Sequence, residues 1–199
     1  MRKINTLKIY LLDNKREMVD EWNRYFKSAV NVTVVQEDFA RFMDAHPEID
    51  YVVSPANSFG LMDGGYDRAI TEYFGDELQK TVQRKILDEL YGEQPVASSI
   101  SVKIPGTSKM LIHTPTMRTP EMIVDTKIVY YCTRTTLIKA LKMGATTIVL
   151  PAFGGSCGGV EYEELARMMW GAYMQLSLPH KEIKWENTID YTRKEMWKR

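Results

Sequence analysis

Two cysteines in 199 residues, Cys132 and Cys157, are too few for a disulfide framework and, by themselves, for a four-ligand metal site. Histidine is just as scarce: His46, His113 and His180 are scattered and show no metal-ligand spacing, so no metal or cofactor is expected. Net charge is missing too, since 26 Lys and Arg balance 26 Asp and Glu. That balance argues against gripping nucleic acid or an anionic membrane by bulk charge, although it leaves room for a local patch. No apolar run is long enough to span a bilayer. Residues Met1 to Asn5 lead into a strand-like run without a signal-peptide core, so a cytoplasmic location is expected.

What is present is an ordinary globular composition, 44% hydrophobic and 26% charged, with no internal repeat or low-complexity linker. A chain of this length buries roughly 70% of its unfolded surface and needs no covalent staple. One domain over residues 1–199 is expected, with a core at about 7–178 and a charged extension at 179–199. Strand-like runs at Leu7–Leu12, Val32–Val35, Ile49–Val53, Ser99–Ile104, Met110–Thr114 and Thr146–Leu150 alternate with helical patterns. Met18, Trp22, Tyr25 and Phe26 share one helical face; Leu78, Val82, Ile86 and Leu90 recur within a helical stretch from about Asp67 to Tyr91. A further helix spans Asp125 to Met143, with Ile128, Tyr131, Cys132 and Thr135 inward. The last carries Leu165, Met168, Met169, Ala172, Tyr173 and Leu176 on one stripe. Nearly continuous β-branched runs between amphipathic helices predict an α/β fold: a three-layer α/β/α sandwich around a mixed, largely parallel sheet.

Two loops stand out. Residues 54–67 and 151–159 hold seven of the 12 glycines, and each follows a strand, where ligands bind in open α/β sheets. Gly154-Gly155-Ser156-Cys157-Gly158-Gly159 matches neither the dinucleotide fingerprint nor a Walker loop. Its glycines allow backbone N–H groups to approach an anion beside a helix N-terminus; a glycine-rich helix cap is the plainer reading. In the first loop, Asn57 offers a donor and an acceptor to a sugar hydroxyl, and Asp67 lies where the next helix begins, a position that suits a carboxylate structurally. Cys157, with no partner histidine nearby in sequence, reads as a small loop residue. Met168, Met169 and Trp170 read as helix packing, and Lys194 to Arg199 as a solvated helix end.

At these residues the chain resembles the macrodomain family of ADP-ribose binders. Asp38-Phe39 resembles the family's Asp-hydrophobic pair at the adenine. Val52-Val53-Ser54-Pro55-Ala56-Asn57-Ser58 is similar to its strand followed by Asn-x-Ala-Asn-Ser, and Gly64-Gly65-Tyr66-Asp67 to the Gly-Gly-x-Asp after it. Leu150-Pro151-Ala152-Phe153-Gly154-Gly155-Ser156 with Gly159 resembles the phosphate loop, and Ile112-His113-Thr114 the Ile-His-Thr strand. Three positions depart from the pattern. Ser54 stands where Asn is frequent, Ser156 where glycine is usual, and Cys157-Gly158 where hydrolases commonly place an aromatic over the distal ribose.

The resemblance implies ADP-ribose, free or on a protein, as ligand, with nucleic acid a partner only if it is itself ADP-ribosylated. Asp38 and Phe39 would meet the adenine. Ala56, Gly64, Gly65 and Tyr66 would line one side of the diphosphate and distal ribose, and Pro151, Phe153 and Gly154 through Gly159 the other. Asn57 and Asp67, ten residues apart, match the members that hydrolyse mono-ADP-ribose from acidic side chains, with Asp67 orienting the water and Asn57 on the ribose. A non-catalytic reader and an ADP-ribose 1″-phosphate phosphatase (Appr-1-p processing) are the alternatives on the same fold.

Overall fold

The computed structural model describes residues 3–178 and 182–193. Its strands are β1 (Lys8–Asp13), β2 (Val32–Gln36), β3 (Tyr51–Ser54), β4 (Ile100–Lys103), β5 (Met110–His113) and β6 (Thr147–Leu150). Its helices are α1 (Arg16–Tyr25), α2 (Phe39–Ala45), α3 (Gly65–Phe74), α4 (Glu77–Leu90), α5 (Lys127–Met143) and α6 (Tyr162–Ser177). The strands form one sheet in the order β2-β1-β6-β3-β5-β4. Every neighbouring pair is parallel except β4–β5, a hairpin closed at the Pro105-Gly106 turn.

Alternation along the strands sorts the core into two halves. Ile9, Leu11, Val53, Ile112, Ile148 and Leu150 pack with α1, α5 and α6. Tyr10, Leu12, Val52, Leu111 and Val149 face the other way, against Phe42 and Met43 of α2, Ile70 of α3, and Leu78, Val82 and Ile86 of α4. Both faces of the sheet are therefore covered, giving the α/β/α sandwich that the β-branched runs imply.

Three local expectations change. The helical stretch from Asp67 to Tyr91 is broken at Gly75, whose φ of +90° stops α3 while its N–H caps Thr71 O. In α5 the buried stripe runs through Val129, Cys132, Thr133, Thr136, Leu137 and Ala140, leaving Tyr131 47% exposed and turned outward. A seven-residue helix, α2, follows β2 directly; it is too short to show helical periodicity in sequence.

Part of the extension has a defined place. Gly171 of α6 has no side chain because the backbone at Tyr191 lies against it: a Cβ there would stand 2.7 Å from Tyr191 O. Beside this notch the buried Arg167 guanidinium donates to Thr192 O and pairs with Glu164. His180 and residues 194–199 lie outside the described residues.

Candidate functional site

Because β1, β2, β3, β5 and β6 run in the same direction, their carboxyl ends share one edge of the sheet. That edge holds Asp13 at the end of β1, Asp38 after β2, Ser54 at the end of β3 and His113 at the end of β5. The two glycine loops leave β3 and β6, which are adjacent strands. They meet in space: a Cβ on Gly65 would lie 3.4 Å from Ser156 Oγ.

The second loop offers backbone donors. Gly155 N–H is taken by Ala152 O, Gly159 N–H by Ser156 O and Val160 N–H by Gly154 O. Among the described residues, the amides of Gly154, Ser156, Cys157 and Gly158 have no such partner. Unpaired N–H groups gathered ahead of a helix form an anion-binding concavity. Pro151 and Phe153 are buried, and the Phe153 ring, 0% exposed, packs in the core with α5 and α6. Phe153 thus supports the loop from beneath, and its ring is not available to cover a sugar. Cys157 is exposed on the loop.

The chain between β5 and α5 lies over this loop, which sequence reading missed. Ile123 N–H donates to Gly158 O at 2.9 Å. A Cβ on Gly154 or Gly158 would come within 2.7 Å of Ile123 Cδ1, and one on Gly159 would collide with the Met122 thioether. Gly154 and Gly159 also have φ of +81° and +62°. Close approach and backbone conformation together explain glycine at these positions.

The first loop is held by side chains. Asn57 Oδ1 accepts from the N–H groups of Phe59 (3.1 Å) and Leu61 (3.3 Å), and its Nδ2 donates to Leu61 O at 2.9 Å. The Asn57 amide is therefore turned onto its own loop, an Asx-type bracket. Ser58 N–H reaches Met117 O, and Gln94 N–H reaches Ser58 O.

Asp67, in the first turn of α3, is 7% exposed. Ser54 Oγ donates to its Oδ1 at 2.5 Å, and the nearby Ala56 N–H also favours its charged form. Burial pushes its pKa up to about 7 against these donors, with nearby Asp63 adding to the rise. A carboxylate poised there takes up or releases a proton near neutrality. The loss of solvent also raises the neighbouring Tyr66 phenol well above its ordinary range, reinforced by Asp67 and Asp13. The Tyr66 ring meets Phe39 edge to face at 5.3 Å, but its hydroxyl is buried without a partner among the described residues. Phe39 is itself buried, and Asp38 receives a long contact, 3.4 Å, from Asn14 Nδ2. His113 is fully buried, its pKa lowered to about 3 by desolvation, with Nδ1 2.7 Å from Gln94 Oε1. Among the described residues no group of His, Cys, Asp and Glu is arranged to hold a metal, and no helix is long and apolar enough to cross a membrane.

Comparison with known proteins places this architecture. The Macro domain model matches residues 53–169. An uncharacterized protein of Aquifex aeolicus is 33% identical over 122 residues, covering 61% of this chain and 71% of that protein. A second, from Aeropyrum pernix, is 30% identical over 116 residues, and the match spans 59% of its length and 58% of this chain. The Oceanobacillus iheyensis macrodomain solved with ADP is 26% identical, with a TM-score of 0.56 over 65% of this chain and 70% of that one. A variant of it solved with ADPR matches in fold over 88% of this chain and 82% of its own, with a TM-score of 0.61 at 19% identity. The strand order, the paired glycine loops and a family match running from β3 into α6 lead to one conclusion: this chain belongs to the macrodomain family.

Proposed function

We propose that this protein binds ADP-ribose across the two loops and hydrolyses mono-ADP-ribose from acidic side chains. The observation that carries the reading is the Asp67 carboxylate, buried in the first turn of α3, whose Gly65 lies against Ser156 of the second loop, with its pKa raised to about 7 by burial. The free amides of Gly154, Ser156, Cys157 and Gly158 suit the diphosphate, with no need for a cationic side chain. The Oceanobacillus structures solved with ADP and with ADPR support the choice of ligand.

In the reaction, a water beside Asp67 attacks C1″ of the distal ribose. The new bond forms between water oxygen and C1″, and the C1″–O bond to the ester breaks. Its electron pair leaves on the substrate carboxylate, and the proton from water passes to Asp67 and then to solvent. Positioning and deprotonation by one carboxylate commonly contribute about 10²–10⁴ in rate. Asp67→Ala is expected to lower release of ADP-ribose from an ester-modified peptide at least tenfold, about 1.4 kcal/mol in barrier, with the circular-dichroism spectrum unchanged. An unchanged rate would overturn the role of Asp67.

Two observations favour a second reading, a reader that binds without turnover. The Asn57 amide is committed to its own loop, and neither Cys157 nor Gly158 supplies an aromatic over the ribose. That reading expects saturable binding and no product from the same peptide. Phosphate released from ADP-ribose 1″-phosphate much faster than ester is cleaved would point to a phosphatase instead.

A further inference from the structure

Ser54 closes β3 and is fully buried. Strand alternation puts its side chain on the Val52 side of the sheet, facing α3. From there its hydroxyl meets Asp67 Oδ1 at 2.5 Å, a length typical of a hydroxyl bonded to an ionised carboxylate. Among the described residues Asp67 has no cationic partner, so dipoles alone offset its charge: the Ser54 hydroxyl, the Ala56 N–H and the first turn of α3. The other ionisable groups around it give no help. Asp63 opposes a second negative charge; Tyr66, the residue before it on α3, is a neutral phenol facing Asp67 and Asp13; Arg68, the residue after it, is exposed and paired with Glu72; and His113, in register with Ser54 on β5, is held neutral by burial.

We propose that Ser54 is a positioning residue for Asp67, its hydroxyl fixing the carboxylate's orientation toward the cleft and favouring its charged form. The proposal rests on Asp67 being the group that takes the proton from water. It also gives a use to a position where this chain departs from the frequent Asn of its family. An amide could donate there as well, but a hydroxyl is a smaller and shorter-reaching donor, so the carboxylate is drawn close to the strand end.

The test follows the Asp67 side-chain ¹³C carboxyl resonance against pH in the ligand-free protein, for wild type, Ser54→Ala, Ser54→Cys and Ser54→Thr. The loss of a hydrogen bond to a charged group predicts that Ser54→Ala moves the Asp67 midpoint upward by about one pH unit. Ser54→Thr, which keeps the hydroxyl, stays within a few tenths of wild type, and Ser54→Cys, with a weaker donor, falls between. The acid limb of the pH profile for ester hydrolysis is expected to shift by the same amount. A midpoint that does not move in Ser54→Ala overturns the proposal. If that variant fails to fold, a Ser54→Cys midpoint equal to wild type overturns it. If the midpoints shift while no variant or wild type turns over ester, the hold of Ser54 on Asp67 stands and the hydrolase reading falls.

Discussion

The two loops that border the cleft are built in opposite ways. The loop after β3 is held by side chains: Asn57 brackets Phe59 and Leu61, Gln79 Oε1 accepts from Met62 N–H, and Thr71 Oγ1 donates to Met62 O. The loop after β6 is held by the lack of side chains, its glycines lying flat beneath Ile123 and Met122. The first arrangement spends polar side chains to fix a backbone and deliver one carboxylate. The second leaves backbone N–H groups unspent, which is what an anion needs. The proposed site for a phosphorylated sugar draws on both.

The sharpest way to break this contrast is to give the second loop a side chain. Gly154→Val puts a branched residue at a φ of +81° and within 2.7 Å of Ile123 Cδ1. The combined backbone strain and overpacking should cost about 2–5 kcal/mol. Calorimetry should show ADP-ribose affinity reduced at least tenfold, and thermal melting a lower Tm. Asn57→Ala strikes the first loop by removing three hydrogen bonds at once. Urea unfolding should show a loss of about 1–3 kcal/mol. Asn57→Asp retains the two accepted bonds and should recover part of it.

The smallest effect sharpens the comparison from within the first loop. Asp67 has a folded pKa of about 7 because of burial, above the roughly 3.9 of an unfolded chain. Folding with a protonated Asp67 is thus favoured, and that stability is fully present below pH ~4 and lost as pH rises through 7. Asp67→Asn has no charge to bury. Its stability relative to wild type should therefore grow between pH 4 and 7 and level off above. Denaturant melts at pH 4, 6 and 8 would read it.

How much of this could be read from the chain varies with the kind of contact. Strands with continuous β-branched runs, such as Thr147–Leu150, and a striped helix such as α6 carry their burial in local periodicity. Both glycine loops were legible because glycine after a strand is a local signal with a physical cause. The Gly75 break was hidden by the regular apolar spacing from Leu78 to Leu90, which runs on as though no turn preceded it. Other features depend on residues far apart in the chain: Ser54 on Asp67, Ile123 on Gly158, Gln94 on His113. No periodicity encodes such pairs. Phe153 shows the same limit at one residue, since its place beside the glycines says nothing about whether its ring faces ligand or core.

The central claim is that the two loops together form one site for a dinucleotide-like diphosphate carrying a distal ribose. The most direct test is a calorimetric titration with ADP-ribose, with AMP, which lacks the diphosphate and second ribose, as the control. Binding to ADP-ribose at about micromolar strength, with AMP far weaker, is the predicted result. Equal affinity for the two, or no binding of either, would contradict it.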